Sequence, residues 1–289
     1  MSSDNLLEKV KKLREITGVG FKDCKIAIDE TGGDIDKSID LLRKKGISKA
    51  NKRSERIAAE GLISIYEKDN KFSMVEVNSE TDFVAKNSDF IKFVEEVSEV
   101  SFLKEGKIED ILISKMKNQK DVKSNLIDLI SKIGEKITLR RCCYIDSKNS
   151  LNFSYTHSAI KKNIGKLGVL LSMQSAKSSD KILAIGKQVS MQVAATAPLS
   201  IDMDSLDKNI LEKEKELIME ELKNAGKDPK IVEKIALGKL NKFISDNTLL
   251  NQESIMDPKK KVKDILSEAG GANKIEIKKF IRFKVGEGI

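Results

Sequence analysis

No tryptophan, a single histidine and three cysteines leave little chemistry to assemble from this chain. Proteins that grip single-stranded nucleic acid stack bases on aromatic rings along a basic groove. With no tryptophan and only three tyrosines, the sequence supplies that platform poorly. His157 and the cysteines at 24, 142 and 143 are too scattered for a zinc site of familiar ligand spacing. No phosphate loop of the form GxGxxG or GxxxxGKS/T occurs, and Gly18-Val19-Gly20 follows a helical pattern rather than a strand. An odd cysteine count, two of them adjacent, suits a reducing compartment better than a disulfide framework. Long hydrophobic runs are missing too. Nothing approaches the roughly 18 uncharged apolar residues of a membrane span, and MSSDNLLEKVKKL has no signal-peptide core. The expectation is a cytoplasmic protein that uses no cofactor or metal, meets no membrane and is not an enzyme.

What the chain has in quantity is charge. Charged residues are 34% of its 289 and hydrophobic ones 39%, enough for more than one small core beneath a highly charged surface. Lys+Arg 53 against Asp+Glu 45 leaves +8, with the signs mixed along most of the sequence. Such mixing reads as solvated surface with a bias toward an acidic partner.

Residues 4–46 are sharply punctuated. Leu6, Val10 and Leu13 fall at helical spacing before a stop at Thr17-Gly18-Val19-Gly20. A second helix is expected from Phe21 to Thr31, with Ile26, Ala27 and Ile28 apolar and Gly32-Gly33 ending it. Asp34 can cap a third, which carries Ile35, Ile39, Leu41 and Leu42 and stops at Gly46. Three short helices with glycine turns describe a UBA-like (ubiquitin-associated-type) bundle over 1–47, and SKANKRSE, 48–55, reads as a polar linker. Together with the positive charge, this bundle keeps open an alternative: a basic nucleic-acid-binding or ubiquitin-like-binding interaction protein.

The next region reads as a β-hairpin, Leu62–Tyr66 and Phe72–Asn78 around Lys68-Asp69-Asn70-Lys71, then a helix from Asn87 to Leu103. Helical stretches follow at 108–116 and 119–133, and a strand at 136–141. The order recurs: strands at Leu151–His157 and Val169–Met173, a helix at Ser179–Ala194, and a closing strand at 275–283 suggest a duplicated α+β unit. Between these lie Leu206, Ile210, Leu217 and Leu222, a break at Gly226-Lys227-Asp228-Pro229, then Ile231, Ile235, Leu237, Leu240 and Phe243. This is the pattern of an antiparallel helical hairpin that projects as a coiled-coil arm. The expected fold is α+β with antiparallel sheets. Its parts are the bundle (1–47), a linker (48–55), a core subdomain (56–149), a second core subdomain (150–199 and 247–289) and the inserted hairpin (200–246).

VEVNSETDFVAKNSDF, 75–90, poses the functional question, because its polar turn delivers the chain to Phe83 at a strand-to-helix junction. Either Phe83 and Val84 close their own core while Asp82 caps the next helix, or Phe83 is held out for a partner. Burial decides between them. Arg140-Arg141 suggests an anion site, although strand alternation puts one of the two on each face.

Several stretches resemble one family. LREITGVGFKDCKIAI (13–28) and VEVNSETDFVAK (75–86) are similar to the two signature stretches of bacterial elongation factor Ts, and IGEKITLRR (133–141), SYTHSA (154–159), IMDPKKKVKDIL (255–266) and FIRFKVGEGI (280–289) resemble further family segments in the same order. The likeness runs over essentially the whole chain. It implies a guanine-nucleotide exchange factor that binds elongation factor Tu, GDP-bound and nucleotide-free, and binds no nucleotide itself. By displacing Mg²⁺ and GDP, such a factor permits GTP reloading during translation elongation. The implied contacts are Thr81, Asp82, Phe83 and Val84, with Asp82-Phe83 inserted near the nucleotide site. Arg14, Phe21 and Lys22 of the bundle are further contacts, as are Ile133, Gly134, His157, Ile255 and Met256. Lys22 stands where members commonly have an apolar residue, and Ile26 and Ile28 where they carry a polar residue and a leucine. Longer members continue past Gly286-Glu287-Gly288-Ile289 into a C-terminal helical module whose contacts are not expected here. Without the likeness, Phe21 reads as a core or staple residue, Arg14 as a solvated charge and His157 as a satisfied structural histidine. Ile133-Gly134 and Ile255-Met256 then read as helix ends or core edges.

Overall fold

Leu62 and Ile63 are neighbours on one strand, both fully buried, and they serve different cores. In the computed structural model, which describes residues 3–147, 149–176, 178–225 and 229–289, that division organises the whole α+β protein. Strands β1 (Glu60–Lys68) and β2 (Lys71–Ser79) form a hairpin whose turn, Asp69-Asn70, takes positive φ at both residues, 50° and 60°. Asp and Asn tolerate that geometry best after glycine, and it matches the twist of the paired strands. Strand β3 (Ile137–Ile145) joins β2. Strand β4 (Leu151–His157) opens a second sheet, while the short β5 (Ile164–Gly165) edges β1, giving a four-stranded antiparallel order β3-β2-β1-β5. The second sheet adds β6 (Leu167–Ser175) and β7 (Ile275–Lys284) in the order β4-β6-β7.

Side-chain alternation then stacks four layers. Leu62, Val75 and Val77 meet Phe90, Val94 and Val97 of a helix over Ser88–Leu103, within a core that also holds Ile111 and Ile130. On the other face Ile63, Ile65, Phe72 and Met74 meet Leu170 and Phe283 of the second sheet. Beyond it, Val169, Leu171 and Met173 pack under Ile182, Val189 and Val193 of a helix over Asp180–Thr196. The duplication is visible in the topology. In each sheet a pair of antiparallel strands is followed by a packed helix and a further strand that returns beside the pair's second strand, and β5 adds a fourth strand to the first sheet. Both return ladders also slip by one residue, at Glu76/Val77 and at Ser172/Met173.

The first slip corrects the expectation for Arg140-Arg141. Glu76 faces Arg141 and Val77 faces Leu139, so Arg140 is the extra residue of a β-bulge. A bulge breaks the alternation, and both arginines reach the fully buried Glu76: Arg140 Nη1 at 3.1 Å and Arg141 Nε at 2.6 Å. The Gly286 amide donates to the same carboxylate at 2.9 Å and Asn78 Nδ2 at 3.1 Å. These arginines hold a structural anion, their own chain's carboxylate. A second tie joins the lobes at the hairpin turn, where Asn152 donates its amide to Asn70 Oδ1 at 2.9 Å and its Nδ2 to the Asn70 carbonyl at 2.6 Å.

The N-terminal bundle comprises α1 (Ser3–Thr17), α2 (Phe21–Glu30) and α3 (Ile35–Arg53) around Val10, Leu13, Val19, Cys24, Ala27, Ile28 and Leu42. Ile26 points outward and Cys24 takes the core position. Gly46 does not stop α3. A Cβ there would sit 2.3 Å from Ser131 Oγ of α7 (Val122–Ile133), so the glycine permits a close helix crossing rather than a turn. Ala50 enters the main core, and Arg53 Nη1 donates to the Ile130 carbonyl at 3.3 Å. The segment expected as a linker, 48–55, is therefore helical as far as Arg53, where Lys52 and Arg53 suit the negative helix end.

The remaining helices are α4 (Asp82–Ala85), α5 (Ser88–Leu103), α6 (Ile108–Ile113), α8 (Asp180–Thr196), α9 (Lys208–Asn224), α10 (Pro229–Asn247) and α11 (Val262–Gly270), with a 3-10 turn at Leu249–Asn251. The stretches expected at 108–116 and 119–133 are shorter: α6 ends at Ile113, and α7 starts at Val122 because Asp121 caps it and accepts from the Ser124 amide at 2.6 Å. In the α9–α10 hairpin, Ile218 and Leu222 face Val232 and Ala236, one turn apart on each helix. Leu217, Ile231 and Leu237, expected on that seam, lie off it and are exposed. The break expected at 226–228 lies outside the described residues. Among the described residues no helix is long and apolar enough to cross a membrane.

The Glu76 network has a pH signature. Burial alone would raise its pKa, but the Gly286 amide, Arg141 and Asn78 outweigh burial and leave it below the ordinary value. A depressed folded pKa adds stability that is full above the unfolded value, about 4.3, and is lost as the pH falls through the folded one. Urea unfolding should therefore show Glu76→Gln less stable than wild type by about 3 kcal/mol at pH 7, the cost of breaking a buried ion pair. The difference should shrink below pH ~4.

Candidate functional site

The turn after β2 is braced from both sides by crossed carboxylates. Thr81 donates its amide to Glu135 Oε2 at 3.0 Å and its hydroxyl to Oε1 at 2.8 Å. In return Glu80 Oε1 accepts the Lys136 amide at 2.6 Å. Arg56 Nη1 lies 3.3 Å from both Glu80 oxygens, and Lys136 Nζ donates to the Arg56 carbonyl at 2.6 Å. Ser79 closes the turn by donating to the Thr81 carbonyl at 3.0 Å. The Glu135 end exists because Gly134 caps α7 in the left-handed region, φ 91°, which reverses the chain at no Cβ cost.

On this mount sits α4, a single helical turn. Val84 and Ala85 are buried in the main core. Val84, expected among the contacts, anchors the turn in its own core. Phe83, its neighbour, is 78% exposed, so the reading that enclosed it in its own core fails. Adjacent residues on a helix point about 100° apart, and here one faces inward and the next outward. Lys86 covers the presenting face: its ammonium lies 3.0 Å from Asp82 Oδ2 and 5.9 Å from the centre of the Phe83 ring. The Lys86 hydrogen bond and charge, with a smaller pull from Lys166, hold the Asp82 carboxyl below its ordinary pKa. The result is an ionised carboxylate beside a bare aromatic ring.

The bundle joins this turn through α7. Gly18 lies against the Lys132 side chain, where a Cβ would be 2.8 Å from Cε, and Lys132 pairs with Asp89 at 2.7 Å in the first turn of α5. Phe21, 41% exposed as the first residue of α2, and the exposed Arg14 and Lys22 flank that glycine loop. Ile133 is partly buried against the main core and Gly134 is the cap, so these two shape the mount. On the opposite side Lys166 pairs with Glu60 at 2.8 Å, and its amide donates to the His157 carbonyl at 3.2 Å. His157 is exposed, with Nδ1 3.0 Å from the Tyr155 hydroxyl. Ile255 and Met256 are exposed on the other lobe, in a loop anchored to α8 where Gln192 Oε1 accepts the Ile255 amide at 2.8 Å. The bundle loop at Gly18 thus reaches α7 through Lys132, while Ile255-Met256 lie on a separate support beside α8.

Glu135, Glu80, Arg56 and Lys136 are the working residues that sequence reasoning passed over. Their partners lie more than 20 positions away in the chain, and nothing local distinguishes such a glutamate from a solvated one. The nucleophile candidates are quiet. Burial pushes Cys142 up to about 11 and Cys143 up to about 12, so both stay thiols at neutral pH. Among the described residues no group of His, Cys, Asp or Glu is placed to hold a metal ion.

Comparisons with known proteins agree on one family. A family model described as Elongation factor TS matches residues 80–287. The chain is 42% identical over 283 residues to Elongation factor Ts of Rickettsia prowazekii (strain Madrid E), covering 97% of this chain and 91% of that one. It is 39% identical over 280 residues to Elongation factor Ts of Gluconobacter oxydans (strain 621H), with the same coverage of 97% and 91%. Against Elongation factor Ts of Bartonella tribocorum (strain CIP 105476 / IBS 506) it is 39% identical over 286 residues, covering 97% and 92%.

Removing the Glu135 carboxylate tests the mount. In Glu135→Ala the Thr81 amide should exchange with solvent about tenfold faster, the equivalent of ~1.4 kcal/mol for a lost charged hydrogen bond. The α5 core amides should keep their protection. Unchanged protection at Thr81 would show that the backbone alone shapes the turn.

Proposed function

This chain belongs to the elongation factor Ts family, and we propose from that membership that it is a guanine-nucleotide exchange factor for elongation factor Tu, working by insertion of Asp82-Phe83 beside the nucleotide site. The observation that carries the mechanism is Phe83, 78% exposed on a turn whose next two residues are buried.

Exchange requires no bond chemistry. A protein that binds the nucleotide-free form of a GTPase more tightly than the GDP form lowers GDP affinity by the same factor, since the coupling is reciprocal. The partner's packed helices move between discrete arrangements rather than deforming smoothly, so a stiff aromatic wedge can favour one arrangement. Phe83 has the size for this, and the Thr81–Glu135 bonds supply the stiffness. Asp82, ionised and adjacent, brings negative charge to the Mg²⁺ side of the partner's site, where it competes with the nucleotide's own charge. Arg14, Phe21, Lys22, His157, Ile255 and Met256 widen the footprint to the bundle and the second lobe, so binding does not rest on the wedge alone. Thr81, Ile133, Gly134 and Val84 act from beneath, as the mount.

Burying a phenylalanine from near-full exposure is worth about 1.5–3 kcal/mol, which sets the expected effect. Stopped-flow release of a fluorescent GDP from elongation factor Tu should be accelerated by the wild-type protein. With Phe83→Ala it should be roughly ten- to a hundredfold slower at equal concentration, with the unfolding midpoint unchanged. Equal rates for the two proteins would remove the wedge from the mechanism. A strongly salt-dependent RNA affinity with no effect on GDP release would favour the nucleic-acid-binding alternative.

A further inference from the structure

Ile57 is as bare as Phe83, with 76% of its surface open against 78%. A single exposed isoleucine is ordinary on a protein surface. What sets this one apart is how it is held. On its N-terminal side, Arg56 donates to Glu80 and its carbonyl accepts from Lys136 Nζ at 2.6 Å. On its C-terminal side, Ala58 is 4% exposed, and the Ala59 carbonyl lies so near Gly286 that a Cβ on that glycine would be 2.2 Å away. Two residues after Ala58, at Glu60, β1 begins and pairs with Ser79, the last residue before the Glu80 turn. Ile57 is therefore fixed on both sides, yet it contributes nothing to the cores of its own chain.

Glu80 connects it to the site. One carboxylate takes the Lys136 amide, which seats the Phe83 turn, and the Arg56 guanidinium, which seats Ile57. The segments that carry the two exposed apolar side chains are thus tied to one clasp. Neither has an apolar reason within the chain to be there.

The geometry points to Ile57 as a second apolar contact with the partner that receives Phe83, fitting an apolar patch beside the crevice that the phenylalanine enters. This rests on the reading of the protein as an exchange factor for elongation factor Tu. Paired contacts from one rigid support add without a second ordering cost, because both side chains are already positioned. Ile57 then serves recognition, outside the nucleotide-side turn. Its loss should raise the concentration of this protein needed for half-maximal GDP release more than it lowers the maximal rate.

The test measures GDP release from elongation factor Tu against concentration for wild type, Ile57→Ala, Ile57→Asp and Phe83→Ala. Ile57→Ala should raise the half-saturating concentration several-fold and Ile57→Asp by about tenfold or more, in the range of interface hot spots. Maximal rates and unfolding midpoints should stay near wild type. The proposal is overturned if Ile57→Asp saturates like wild type while Phe83→Ala is slowed. It is also overturned if the Ile57 variants lose activity only in step with a falling unfolding midpoint. If wild type itself fails to release GDP, the functional reading fails, which differs from either of those results.

Discussion

A carboxylate sealed from water sets the relation between the two lobes. Glu76 sits in the middle of β2 with no exposed surface and gathers two arginines, an asparagine amide and the backbone of the C-terminal tail. Stripping water from a carboxylate is expensive, and the cost is offset only if charged donors with good geometry replace it. Here they come from β3 and from the segment after β7, so satisfying the charge fixes the second sheet against the first. Arg141 also lies over the Phe283 ring, 4.2 Å to its centre, and donates to the Lys284 carbonyl. The same guanidinium therefore closes the rim of the apolar layer between the sheets. An aliphatic pair would hold the layers together as firmly without fixing their register.

The free protein maintains a surface organised in advance of its partner. Phe83, Phe21, Ile255 and Met256 expose apolar area, and the Phe83 turn is supported by buried neighbours and a bidentate carboxylate. Affinity that depends on ordering a segment at the moment of contact is weakened by the entropy of that ordering. Here Val84 and Glu135 have already met much of that cost during folding.

Much of this was legible in the residues. Asp34 caps its helix as expected, and the helices expected from Asn87 and Ser179 start there, each of these side chains accepting an amide hydrogen bond. The Asp69-Asn70 turn joins the expected strands, and the repeated hairpin-helix order became two sheets of matching topology. What escaped depends on contacts distant in the chain. Gly46 looks like a helix stop until Ser131 of another helix lies against it. Arg140 and Arg141 alternate by rule until a bulge, visible only in the pairing, turns both inward. Within the site, the likeness to a family marked Val84 alongside Phe83, yet the phase of one helical turn buries the first and exposes the second. The hairpin seam was misplaced for a similar reason, since Leu217 and Ile218 differ by one position on a helix whose phase the sequence does not fix.

The length of α3 has a consequence for spacing. Its first half is packed in the bundle and its second half is fastened to α7 by Ala50 and Arg53. As 19 residues of helix, about 28 Å long, it is a strut shared by two bodies rather than a tether between them. The separation of Phe21 from Phe83 is therefore set by packed helix rather than by chain statistics. A flexible linker in the same place would let the two drift apart. The continuous helix holds them in one frame.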